Sequence, residues 1–156
     1  MSNVLGLKKE DTQIIISLLK KILAETYVLY VKSHSFHWNV EGQNFLELHT
    51  FFENIYTQLH EDIDEIAERI RALNSLAPYN YIELLSYSEV KECENHVTAN
   101  EMIQILHQDF ELIITHIRDA IEKTENYNDV ETADLLTQKI STYGKTMWML
   151  RALLTK

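Results

Sequence analysis

The chain has 156 residues, 46% of them hydrophobic, which is enough to bury one proper core, and a single domain over 1–156 is expected. Three glycines and one proline are too few for a loop-rich or all-β fold and suit long uninterrupted helices. A net charge of -10, from 14 basic and 24 acidic side chains, opposes general nucleic-acid binding and favours attraction of cations. The lone Cys93 offers no disulfide framework, no apolar run is long enough to span a membrane, and the first residues lack the apolar core of a signal peptide. A reducing, cytoplasmic setting is therefore expected.

The first helix is expected over about 11–40, opening at Asp11 or Thr12, with Ile15, Leu19, Ile22, Thr26, Leu29, Ser33 and Phe36 inward. His34 sits beside that stripe and reads as structural or exposed. Gly42 breaks the helix, and a second one is expected over about 45–73. Its apolar positions Leu48, Phe52, Ile55, Leu59, Ile63, Ile66, Ile70 and Leu73 keep a 3-4 spacing and fall within a sector of roughly 80°.

Four metal-ligating side chains on that second helix, His49, Glu53, Asp64 and Glu68, centre about 135° away from the apolar stripe. His49 and Glu53 are one turn apart, as are Asp64 and Glu68, so each pair points one way. The tight connection to the first helix brings His37 close to His49. Glu53 and Asp64, however, stand about 16 Å apart along the axis, too far to share one metal. Either the pairs serve different sites, or each is completed by another chain. A two-fold axis across this face would set the first pair of one subunit against the second pair of its mate, which puts the site between subunits. Acidic and histidine side chains on an exposed helix face are often merely solvated. The nearby His37-Trp38 is what weighs against that here.

Residues 74–98 form the long connection, with a short helix around Ile82 to Tyr87. Such a crossover lets the flanking helices run parallel. Thr98-Ala99-Asn100-Glu101 has capping-box spacing and opens a helix expected over 99–125, with Ile103, Leu106, Phe110, Ile113, Ile117 and Ala120 inward. His107 and His116 lie off that stripe and are left unassigned. The last helix is expected over 130–154, with Ala133, Leu136, Ile140, Tyr143, Met147 and Leu150 inward. Gly144 in its middle costs about 1 kcal/mol relative to Ala, and a close helix contact is the expected reason. The result is an all-α, ferritin-like four-helix bundle with a short helix in the crossover between helices two and three. A di-iron site inside such a bundle wants Glu-x-x-His motifs on two helices. None of the seven histidines has Glu three positions before it.

The run His37-Trp38-Asn39-Val40, Gly42, Asn44-Phe45, Leu48-His49, Glu53 and Asp64-Glu65-Ile66-Ala67-Glu68-Arg69 resembles the signature of the Dps mini-ferritins. Thr132-Ala133-Asp134-Leu135-Leu136 and Trp148-Met149-Leu150-Arg151 are similar to that family's last helix. The resemblance implies a ferroxidase site at a two-fold interface, with His37, His49 and Glu53 from one chain facing Asp64 and Glu68 of its mate. It implies Fe(II) as substrate, oxidised preferentially by hydrogen peroxide, and Fe(III) stored as mineral in a hollow dodecamer. The ligand types alone suit Zn(II) as well as Fe(II). Glu53 is expected to hold the second, weaker iron. Trp38 is expected beside the site, either as packing or as a hydrogen-bond donor and a ring oxidised before stray radicals escape. Family members line three-fold pores with acidic residues, and Asp129, Asp134 and nearby Glu125 fall in the matching region. The family is named for DNA compaction, but only Lys8 and Lys9 precede the first helix and only Lys156 follows the last. Direct DNA binding is thus the weaker expectation, and a structural bundle that binds zinc is a third reading.

Overall fold

The computed structural model describes residues 3–155. Among them are helices α1 (Lys9–Asn39), α2 (Phe45–Ala72), α3 (Tyr81–Ser86), α4 (Ala99–Asn126) and α5 (Val130–Leu154), in an all-helical bundle. α1 opens at Lys9, earlier than Asp11 or Thr12, and without a side-chain cap. The Thr12 hydroxyl turns back to donate to the Lys8 carbonyl (2.9 Å), so it cannot serve as the cap. Glu10 and Asp11 in that first turn instead complement the positive end of the helix.

The other helix ends follow local chemistry. Gly42 adopts φ +112, a conformation open to glycine, and turns the chain from α1 into α2. Asn74 and Asn128 take the left-handed region just beyond α2 and α4. There the amides of Ser75 and Asp129 reach back to the carbonyls of Ile70 and Thr124, closing the helices with a Schellman pattern. The Asn80 side chain caps α3, which starts at Tyr81 because of it. Thr98 and Glu101 form the expected reciprocal capping box on α4.

Side-chain pairs fix the topology. Residues 25 and 32 of α1 meet 116 and 109 of α4, while His37 and Tyr30 meet His49 and His60 of α2. Both partners therefore run antiparallel to α1 and parallel to each other, as the long crossover requires. α5 returns antiparallel, with Arg69 and Asp62 of α2 against Thr132 and Tyr143. One continuous buried cluster draws on all of these helices, from Ile15 and Leu29 through Phe52, Leu106 and Phe110 to Tyr143 and Leu150.

Several interior expectations change: Ile140 and Met147 of α5, expected inward, are only partly buried. Ile63 is only partly buried, whereas Asp62, one position earlier, is completely enclosed. It accepts from the Tyr143 hydroxyl (2.8 Å), Lys139 (2.7 Å) and Gln58 (3.2 Å). Burial, then the Asp62 carboxylate, push the Tyr143 phenol well above its ordinary range. Burial alone would lower Lys139, but hydrogen bonds to Asp62 and Glu65 outweigh it and raise it. Gly144 makes no close helix contact, since a Cβ there would meet nothing within 4 Å. No helix of the described residues is long and apolar enough to cross a membrane.

Candidate metal centre

The end of α1 and the start of α2 bring His37 and His49 ring to ring, with centroids 3.7 Å apart and planes 17° from parallel. His37 Nδ1 lies 2.7 Å from the His49 carbonyl, and His49 Nδ1 lies 2.7 Å from the His37 carbonyl. Only an N–H satisfies a carbonyl, so each neutral ring carries its proton on Nδ1 and keeps a lone pair on Nε2. This is how a protein fixes histidine tautomer and orientation ahead of a metal. His37 is buried and His49 partly buried, so the pair is held by packing as well as by its hydrogen bonds.

Glu53 lies one turn beyond His49 on α2 and is exposed. Burial and then the Glu53 carboxylate push the neighbouring Tyr56 phenol up. Asp64 and Glu68 are also exposed, but α2 is unbroken between Glu53 and Asp64, which leaves the two pairs about 16 Å apart. One chain thus brings His37 and His49 together and sets Glu53 one turn on along α2, without gathering the three into a ready-made ligand cluster, while Asp64 and Glu68 form a separate exposed pair.

Aromatic rings surround this centre. Trp38 is 65% exposed and packs on His34 at 4.0 Å, and His34 stacks on Tyr56 at 4.1 Å. Tyr56 meets His37 edge-on at 5.2 Å, and Phe45 stacks on His49 at 5.1 Å. His34 is therefore structural, and burial, followed by the charge of His37, lowers its pKa.

The acidic region after α4 needs correction. Asp129 is fully buried, paired with Arg69 at 2.7 Å, and accepts from the Thr132 backbone amide and hydroxyl. It caps α5 and has no carboxylate oxygen to spare for lining a pore. Asp134, which accepts from Gln138 at 3.0 Å, and Glu125 are exposed and remain on the surface.

A second cluster escaped the sequence reading. His116 of α4 bridges the fully buried Glu25 of α1 and the exposed Glu89 of the crossover. Its residues come from three segments with no ligand spacing along the chain, so no motif announces it.

The comparisons with known proteins agree with this architecture. The model of the ferritin-like domain matches residues 16–156. The chain is 37% identical over 142 residues to DNA protection during starvation protein 2 of Bacillus anthracis, covering 91% of this chain and 97% of that one. The protein is a mini-ferritin of the Dps family. Among solved structures, Dps from Vibrio cholerae O1 superposes with a TM-score of 0.94 at 32% identity, covering 99% of this chain and 97% of that one. That protein is described as belonging to the ferritin-like diiron-carboxylate proteins. Dps from Bacillus brevis gives a TM-score of 0.92 at 34% identity, over 96% of this chain and all of the other.

Proposed function

We propose that this Dps protein oxidises Fe(II), with hydrogen peroxide as preferred oxidant, at sites shared between two subunits, and stores the ferric product in a closed cytoplasmic oligomer of twelve chains. The observation that carries this reading is the His37–His49 pair. Its two Nδ1 atoms are committed to carbonyls and its Nε2 atoms are free, with Glu53 one turn away. Ligand sets of imidazole and carboxylate suit Fe(II). The remoteness of Asp64 and Glu68 along α2 supports a partner chain as the supplier of the remaining carboxylates.

The chemistry balances without a radical product. Each of two Fe(II) ions gives up one electron, and one peroxide takes both electrons with two protons to yield two waters. The histidines fix the position of the first ion, and Glu53 offers a weaker hold on the second. Tyr56, edge-on to His37, and Trp38, which follows His37 in the chain and packs on His34, are the side chains poised to be oxidised if a single-electron step occurs. The matching iron-storage role in stress protection is supported by kinship with the ferritin-like family. Direct DNA binding is not favoured, because a net charge of -10 opposes a grip on phosphate; Lys8 and Lys9 sit at the start of α1, and Lys156 lies outside the described residues.

The test is anaerobic loading with Fe(II), followed by stoichiometric peroxide, while Fe(III) absorbance is followed and iron per subunit counted. Fast oxidation in the native protein and its loss in His49→Ala are expected. Equal rates in both proteins would overturn the proposal.

A further inference from the structure

The Glu25–Glu89–His116 cluster lies outside the centre described above. Glu25 and His37 are both on α1, about 18 Å apart along its axis. His116 Nδ1 lies 2.8 and 2.9 Å from the two oxygens of Glu25, and its Nε2 lies 3.2 Å from Glu89 Oε2. A neutral imidazole has one proton to donate, so two carboxylate partners require either the imidazolium or another cation in place of a proton.

The surroundings favour a cation. Glu25 is completely buried, and among the described residues its hydrogen-bond partners are His116 and the Glu89 backbone amide (3.4 Å). Lys21 hydrogen-bonds Glu89 instead, at Oε1 (2.7 Å), which leaves Oε2 turned to His116. A carboxylate enclosed between α1 and α4 is costly without a fixed positive charge. Burial pushes the Glu25 carboxyl up, as expected where compensation is incomplete.

We propose that Glu25, Glu89 and His116 form a second divalent-metal site, of the kind taken by Zn(II), in which the cation replaces the proton held by His116. One donor atom from each residue lies within 4.8 Å of the others. Bonds of about 2.0–2.2 Å at tetrahedral angles set donors roughly 3.3–3.6 Å apart, so the three side chains close in around the ion as it binds. One imidazole and two carboxylates leave a fourth position for water, a pattern that suits zinc and disfavours Ca(II) and Mg(II), which prefer all-oxygen shells. A cation there ties α1, α4 and the crossover together.

The test does not depend on ferroxidase activity. The full chain carrying His49→Ala and Glu53→Ala is stripped with chelator, equilibrated with Zn(II), freed of excess and analysed for metal. Crystals of the same protein are examined for anomalous scattering at the zinc edge. The expected result is bound zinc and an anomalous peak between Glu25, Glu89 and His116. Zinc affinity should fall at least ~100-fold on adding His116→Gln, and should weaken as pH drops, because the metal competes with the proton on His116. No anomalous peak at the cluster would overturn the proposal even if His116→Gln fails to fold. Unchanged zinc affinity in a folded His116→Gln protein would do the same. Either result would leave a proton-held ion-pair clamp.

Discussion

Mixed assemblies put a quantitative demand on a site divided between chains. Glu53 and Asp64 belong to one unbroken helix, α2, and stand about 16 Å apart along it. A metal bonded at about 2 Å to each carboxylate bridges only a fraction of that span. Glu53→Ala and Asp64→Ala homo-oligomers should therefore each lose fast peroxide-dependent oxidation, because every site lacks one ligand. In a two-fold dimer of one Glu53→Ala chain with one Asp64→Ala chain, one site collects both defects and the other is whole. With random pairing half the dimers are mixed, so the co-assembled protein should recover about a quarter of the native rate. The assay is the initial rise of Fe(III) absorbance after anaerobic loading, on assemblies purified through two different affinity tags. Verified mixed assemblies with no recovery would refute the shared site. Full activity in both single variants would return the carboxylates to an ordinary solvated face.

Three further perturbations address the fold. Asp62→Ala strips an acceptor from Tyr143 and one of two carboxylates from Lys139, and should cost about 3 kcal/mol, since Glu65 remains to pair the ammonium; thermal melting at fixed protein concentration measures it, and restoration by adding Lys139→Met would confirm that the stranded charge is the cause. Thr98→Ala should cost about 1 kcal/mol of α4 stability. Hydrogen bonds from the Thr98 amide and hydroxyl hold Glu101 below its ordinary value of 4.5. A depressed carboxylate contributes stability that is complete above that value and lost as pH falls through the folded pKa, so the melting gap between native and Thr98→Ala proteins should narrow in acid. Gly144→Ala should raise stability by about 1 kcal/mol because its Cβ enters open space; a lower melting temperature would mean that a neighbouring subunit packs there.

The fold was legible where periodicity carries the signal. The inward positions named on α1 and α4 are all buried, and the Thr98–Glu101 spacing led directly to a capping box. The approach of His37 to His49 was also readable, because a short glycine turn between two helices leaves little freedom. What escaped was polar chemistry made by tertiary contact. Asp62 lies next to the apolar stripe of α2 and looks like a surface acid until Lys139 and Tyr143 arrive from α5, far along the chain. Asp129 read as part of an acidic turn, yet Arg69 of α2 and the start of α5 consume both of its oxygens. Glu25 and His116 are ninety-one positions apart, and no local pattern couples them.

The interior chemistry of the bundle supports the proposed outward position of the iron centre. On the inner face of α2, Asp62 gives Oδ1 to Lys139 and Gln58 and Oδ2 to the Tyr143 hydroxyl. That carboxylate is charge-compensated and saturated. A metal entering there would have to displace a lysine and a phenol from a closed network, at the cost of stranding both. On the outer face the accounting differs. His37 and His49 spend one nitrogen each on holding the other's backbone and keep the second unspent. The same hydrogen bonds that leave those donors free also fix where they point, so little ordering remains to oppose binding. α2 thus carries saturated carboxylate on one side and unsaturated ligands on the other. That difference, more than the count of acidic residues, supports the proposal that iron is handled outside the bundle rather than within it.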